Sequence, residues 1–231
     1  EVKDVYLDKA AMITINCNPT AQSTDYYCNL EFQGSTFEGV NLNNSVISIN
    51  SQAPSSLGPL ANLSAPSRDF IYWCKLVVDS DVIRNCEFIN WISWLNQGSK
   101  DFAILIKKCL FSNLKSPRGL IYSGVESQYD LILNFSNNTI TSVSVEGTGG
   151  ALISASQSQL TSFTSSLNSN NDSRNVCFLL TQNNFISIQS TQESSGGCGR
   201  IISWSSQARG ISFSLQNNNF SNINCEEGKG A

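Results

Sequence analysis

The chain has 231 residues, 40% apolar and 14% charged, a balance that excludes a disordered polypeptide. Its net charge of −4 excludes the basic stripe that phosphate backbones require, so nucleic acid is not an expected partner. With no histidine, His-dependent acid–base chemistry and His-ligated zinc are excluded, and no motif calls for a cofactor or a metal.

The 26 Asn and 37 Ser make up about 27% of the chain. Helical periodicity is absent, and period-two stretches such as Leu131–Phe135 and Ile211–Leu215 are common. Residues 1–29 read as one or two N-terminal coils. They hold no basic stretch followed by an apolar core, so no signal peptide is expected, and the chain reads as a mature form or a fragment. The longest apolar run, Phe70–Val78, contains Lys75 and falls short of the ~20 residues that span a bilayer.

From residue 30 onward one gapless frame recurs six times: apolar, x, apolar, x, x, small polar, x, Phe, x, x, apolar. Its anchors are Phe37, Phe88, Phe111, Ile140, Phe185 and Phe220. The positions seven and five before and three after each anchor complete 24 sites, of which only Asp81 is polar; composition alone would make about ten apolar. Two residues before the anchors stand Ser35, Cys86, Cys109, Asn138, Asn183 and Asn218. A polar or Cys column beside an aromatic one is what stacked, in-register coils produce, with Asn amides bonding from rung to rung.

Segments 51–69, with three of the five prolines, and 155–175, rich in Ser and Asn, read as loops leaving the stack. Between anchors, Gly followed by a short apolar strand recurs at Gly119, Gly150 and Gly199, where glycine suits corners of positive φ. These features predict a single domain, residues 1–231: a parallel β-helix of about seven or eight coils, right-handed by crossover chirality.

The eight cysteines form no CxxC pair, and their even number favours disulfides and an oxidising compartment over buried free thiols. Candidate bridges are Cys17–Cys28, Cys86–Cys109 and Cys198–Cys225. Of six Asn-x-Ser/Thr sequons, those in predicted loops, Asn62 and Asn171, are the better glycan acceptors. Asp79 and Asp81, alternate residues on a strand, are the first candidates for a carboxylate pair. Trp73, Trp91, Trp94 and Trp204 could stack on sugars if exposed; Trp91 is expected in the core and Trp94 facing out.

Gly149-Gly-Ala-Leu152 and Phe135-Ser-Asn-Asn138 resemble the GGA[ILV] and FxxN motifs of the chlamydial polymorphic membrane proteins, and similar Asn-rich arrays occur in ciliate surface proteins. The resemblance implies an extracellular β-helical passenger or surface protein, often an adhesin. No amphipathic capping helix is expected at either end, which leaves open sheet edges. The expected function is an extracellular or cell-surface structural protein, a fibre or filament subunit. Its expected partners are a second copy, further coils of the same polypeptide, or glycans. The alternative is a carbohydrate-binding protein, or a polysaccharide lyase or hydrolase.

Overall fold

A computed structural model describes residues 1–17, 26–52, 72–97, 101–125, 130–146, 151–157, 175–191, 200–206 and 210–226. They form a parallel β-helix. The first coil runs through β1 (Val2–Lys3), β2 (Tyr6–Leu7), β3 (Ile13–Cys17) and β4 (Tyr26–Gln33). The second is β5 (Thr36–Glu38), β6 (Asn41–Leu42), β7 (Ile47–Gln52) and β8 (Tyr72–Asp79). Coils three and four are β9 (Val82–Phe88), β10 (Ile92–Gln97), β11 (Asp101–Lys107), then β12 (Leu110–Lys115), β13 (Ile121–Val125), β14 (Asp130–Ser136). Coils five and six are β15 (Thr139–Glu146), β16 (Ala151–Gln157), β17 (Asn175–Thr181), then β18 (Asn184–Thr191), β19 (Arg200–Ser206), β20 (Gly210–Gln216). β21 (Asn219–Glu226) begins a seventh, so the described residues make six complete coils and one strand more.

Each coil passes through three sheets in turn, of nine, six and six strands, with β1–β2 and β5–β6 sharing the first, and its strands pair in parallel with the coils above and below. That arrangement follows from the repeat. Each coil must place its apolar residues over those of the last, and only parallel, in-register pairing puts like on like. In the third sheet Leu30, Leu76, Ile104, Leu133, Phe178 and Phe213 form one column. In the first, Phe37, Ile83, Phe111, Ile140, Phe185 and Phe220 form another.

Inside the stack Phe135 packs near Phe111 and Phe185, with ring centroids 6.2 and 6.3 Å away, and is fully buried. Phe135→Ala is expected to destabilise the fold by about 3 kcal/mol through lost burial and a residual cavity. A denaturation midpoint equal to that of the unaltered chain would show that the coils collapse over the gap.

The register corrects the expected frame in the third coil. Ile83, not Phe88, stands in the anchor column between Phe37 and Phe111. Phe88 lies five residues further on, opposite Leu42, and is also fully buried. The column fills with Ile83 because Trp91 supplies the aromatic bulk: its ring meets Phe37 edge-on at 4.7 Å. Accordingly Asp81, not Cys86, belongs to the polar column, and Cys86 stands opposite Leu114.

The glycine alignment also moves by one. Ile121 pairs with Ile153, so Gly119 stands opposite Ala151, not Gly150. The predicted loops are shorter than expected: residues 51–52 complete β7, 155–157 complete β16, and Asn175 begins β17. The remainder of both loops lies outside the described residues.

Candidate functional site

Two columns of left-handed residues shape each coil. At the corner from the third sheet to the first stand Gly34, Ser80, Lys108, Asn137, Gln182 and Asn217, all with φ between 54° and 62°. Midway along the first sheet stand Asp4 between β1 and β2, Gly39 between β5 and β6, and Asn85, Asn113, Ser142, Ser187 and Asn222 within later strands, with φ between 49° and 65°. Asn, Asp and Gly tolerate this conformation best, and five of the thirteen positions are Asn.

The residue following each corner points inward and forms a ladder. Ser35 N–H donates to Asp81 Oδ1 at 2.7 Å, Cys109 N–H to Asn138 Oδ1 at 2.9 Å, Asn138 N–H to Asn183 Oδ1 at 3.0 Å and Asn183 N–H to Asn218 Oδ1 at 3.0 Å. Asn138 Nδ2 also donates to Asn183 Oδ1 at 3.0 Å, and Asn183 Nδ2 to Asn218 Oδ1 at 2.9 Å. Side-chain amides thus satisfy the backbone groups that a corner withdraws from the sheet ladder. The FxxN spacing at Phe135–Asn138 is the distance from a core residue to its ladder residue. Phe111-Ser-Asn113 and Phe220-Ser-Asn222 run instead from an anchor-column residue to the left-handed bend.

The bend makes the outer face of the first sheet concave. A groove of about 670 Å³ runs across the coils, lined by residues including Asn85, Asn113, Ser142, Ser187 and Gln189. Asn113 Nδ2 donates to Asn85 Oδ1 at 2.8 Å, and Lys115 pairs with Glu87 at 3.5 Å. The groove's lining contains no aromatic side chain. Trp91 and Trp94 are both fully buried, so Trp94 does not face out as expected, while the side chains of Trp73 and Trp204 lie outside the described residues.

Comparison of the chain with protein-family models, curated proteins and solved structures finds no match. The site must therefore be judged on its own chemistry.

Asp79 and Asp81 do not form a pair on one face. The left-handed Ser80 between them turns the chain, leaving Asp79 at the end of β8 and Asp81 fully buried. The Lys107 ammonium 3.1 Å from Asp79 and the Ser80 hydroxyl hold the Asp79 carboxyl below its ordinary range, while burial pushes Asp81 above its own. Divergent carboxyls often mark an acid and a base. Here the raised one has no solvent-facing atom to meet a substrate. Among the described residues no cluster of His, Cys, Asp or Glu could hold a metal ion, and no helix is long and apolar enough to cross a membrane.

Cys86 and Cys109 are both free and buried, which removes the expected bridge between them. They occupy different columns: Cys109 follows Lys108 at the corner, while Cys86 follows the bend at Asn85. Burial raises both thiols, Cys109 to about 11, so neither is a ready nucleophile. Cys17 ends β3 in the second sheet, whereas Cys28 in the third sheet stands in register with Cys74. Cys225 stands opposite Ser190. The side chains of Cys17, Cys28 and Cys225, and all of Cys198, lie outside the described residues, as do Asn62 and Asn171. Of the remaining sequons, Asn43, Asn137 and Asn219 are exposed.

Proposed function

We propose that the chain is a structural element of an extracellular or cell-surface fibre, a β-helical rod that lengthens by stacking a second copy end to end. One observation carries this reading. Phe213, Leu215 and Phe220 are 48%, 58% and 47% exposed, whereas Phe178, Leu180 and Phe185, in register one rung below, are fully buried. Covering a side chain of this size contributes roughly 1.5–3 kcal/mol. β19, β20 and β21 are the outer strands of their sheets, so each adds an edge able to pair.

The opposite end continues the same columns. Val2 heads the Phe220 column, Leu30 the Phe213 column and Phe32 the Leu215 column. Head-to-tail stacking through the first sheet sets Val2 of one copy over Phe220 of the last, apolar on apolar and parallel, and an unlike-surface contact that does not close makes a filament. The resemblance to surface passengers supports the extracellular placement. Exposed Asn43, Asn137 and Asn219 are the described acceptors for glycans there, and the amide- and hydroxyl-lined groove is the face for adhesion. Carbohydrate cleavage is the weaker reading, since Glu87, paired with Lys115, is the single carboxylate lining that groove and the described tryptophans are buried away from it.

Electron microscopy of the native, unreduced 231-residue chain is expected to show filaments with an axial repeat of about 30–35 Å, the height of the seven strand levels of the first sheet. Leu215→Lys should abolish them. Isolated short particles at every concentration would sink self-stacking and leave further coils of the same polypeptide as the cover for this face.

A further inference from the structure

The inner ladder obeys a second rule besides its side-chain oxygens. From the fourth coil onward each member donates from its side chain to the carbonyl three residues before the preceding member. Cys109 Sγ donates to Val78 O at 3.6 Å, Asn138 Nδ2 to Ile106 O at 3.0 Å, Asn183 Nδ2 to Phe135 O at 2.7 Å and Asn218 Nδ2 to Leu180 O at 2.7 Å. Asp81 keeps the accepting half of the pattern through Oδ1 and Ser35 N–H. Its donating half falls to Oδ2, and the carbonyl three residues before Ser35 is that of Phe32. Asp81 Oδ2 is buried with no hydrogen-bond partner, and the whole residue is 0% exposed. A bare carboxylate oxygen has nothing to offer a carbonyl; a protonated one supplies the missing donor.

We propose that Asp81 is a neutral carboxylic acid in the folded protein, donating its Oδ2 proton to the Phe32 carbonyl as a stand-in for the ladder amide, and that it makes the seam where the third coil begins a pH-sensitive latch. The surrounding charges agree. From its own chain segment Asp79, kept ionised by Lys107, opposes a second negative charge beside it. Lys107 is engaged by Asp79, and the Lys108 side chain is exposed on the corner. The coil before brings Gln33, Gly34 and Ser35, which carry no charge; the coil after brings the Cys109 thiol, held neutral by burial. Burial is the main cause of the raised Asp81 carboxyl, with the Ser35 N–H opposing it and Asp79 adding to it.

A carboxyl raised on folding stabilises fully below its unfolded pKa of about 3.9, and that stability is lost as pH rises through the folded value. Between the two, the folding equilibrium constant falls about tenfold per pH unit on account of this one proton. Denaturant titrations of the 231-residue chain and its Asp81→Asn variant, at intervals from about pH 4 to pH 8, test this. The Asn variant supplies the donor at every pH. The ratio of its folding constant to that of the unaltered chain should grow by about tenfold per pH unit above 4 and level off at the folded pKa. A constant ratio, or a variant less stable throughout, overturns the proposal. Should the variant fail to fold, infrared spectra of the unaltered chain near pH 6, where ordinary carboxyls are ionised, decide instead. A protonated carboxyl band is expected, and its absence overturns the proposal.

Discussion

Replacing Gly119 by valine is expected to lower the unfolding free energy by about 4 kcal/mol or more, a shift of the denaturation midpoint with little change of slope. Gly119 lies in the turn after Pro117 and Arg118 with φ +86°, a conformation that L side chains rarely adopt. A Cβ there would collide with the carbonyl oxygen of Ala151 and stand 2.8 Å from that of Leu152. Both are backbone atoms of the next coil, and the Leu152 carbonyl accepts the Leu120 N–H at 2.8 Å. Neither can withdraw without opening the second sheet. The Gly119 carbonyl is committed as well, accepting from Ser116 Oγ at 2.7 Å and Asn90 Nδ2 at 3.0 Å.

Gly34 is the internal control. Its φ of +62° is also left-handed, but nothing lies within 4 Å of a Cβ built on it. Gly34→Ala should therefore cost only the backbone strain, about 1–2 kcal/mol. If Gly119→Val unfolds at the same denaturant concentration as Gly34→Ala, the close approach to Ala151 is not what fixes glycine at that corner.

The coiled architecture was legible because its cause is a register, and a register leaves columns in the sequence. Leu133, Phe135, Ile140 and Val143 repeat as Phe178, Leu180, Phe185 and Ile188 because each must lie over its counterpart. The third coil was misread because its column requires volume, not aromaticity. Phe88 drew the anchor five residues too far, although Leu76, Val78, Ile83 and Cys86 fit the same apolar spacing without exception. Asp81, the one polar residue in the mistaken frame, was the trace of that slip. It fell into an apolar column and so escaped notice as a ladder member.

The left-handed bend within the first sheet carried no comparable signal. Its positions hold Asp, Gly, Asn or Ser, types that also fill every turn. Trp94 lies three residues after the inward Trp91, which on strand alternation is the outward parity. Trp91 precedes the strand β10, so the period-two count begins at Ile92 and brings Trp94 inside. The cysteine pairing depended on Cys86 sharing the column of Cys109, and it failed with the same slip.

Asn183→Leu is expected to destabilise the protein by about 5 kcal/mol although it adds apolar bulk to a buried site. The Asn183 side chain makes four hydrogen bonds. Nδ2 donates to Phe135 O and Asn218 Oδ1 at 2.7 and 2.9 Å, and Oδ1 accepts from the backbone N–H and Nδ2 of Asn138, both at 3.0 Å. Asn138, like Asn183, is fully buried. Leucine would leave the Asn138 N–H, one Asn138 amide proton and the Phe135 carbonyl stranded, each costing about 1–3 kcal/mol in a site closed to water. Burial of the added methyl groups offsets only part of that loss. Asn218→Leu, one rung further toward the open end, strands the equivalent groups of Asn183 where water can reach the half-buried Asn218. It should cost less than half as much. Equal losses at the two positions would mean that the ladder's worth is local corner geometry. A steep fall toward the open end would mean that the ladder holds the stack because the interior is dry. In that case, covering the last coil with another should bring the cost of Asn218→Leu up to that of Asn183→Leu.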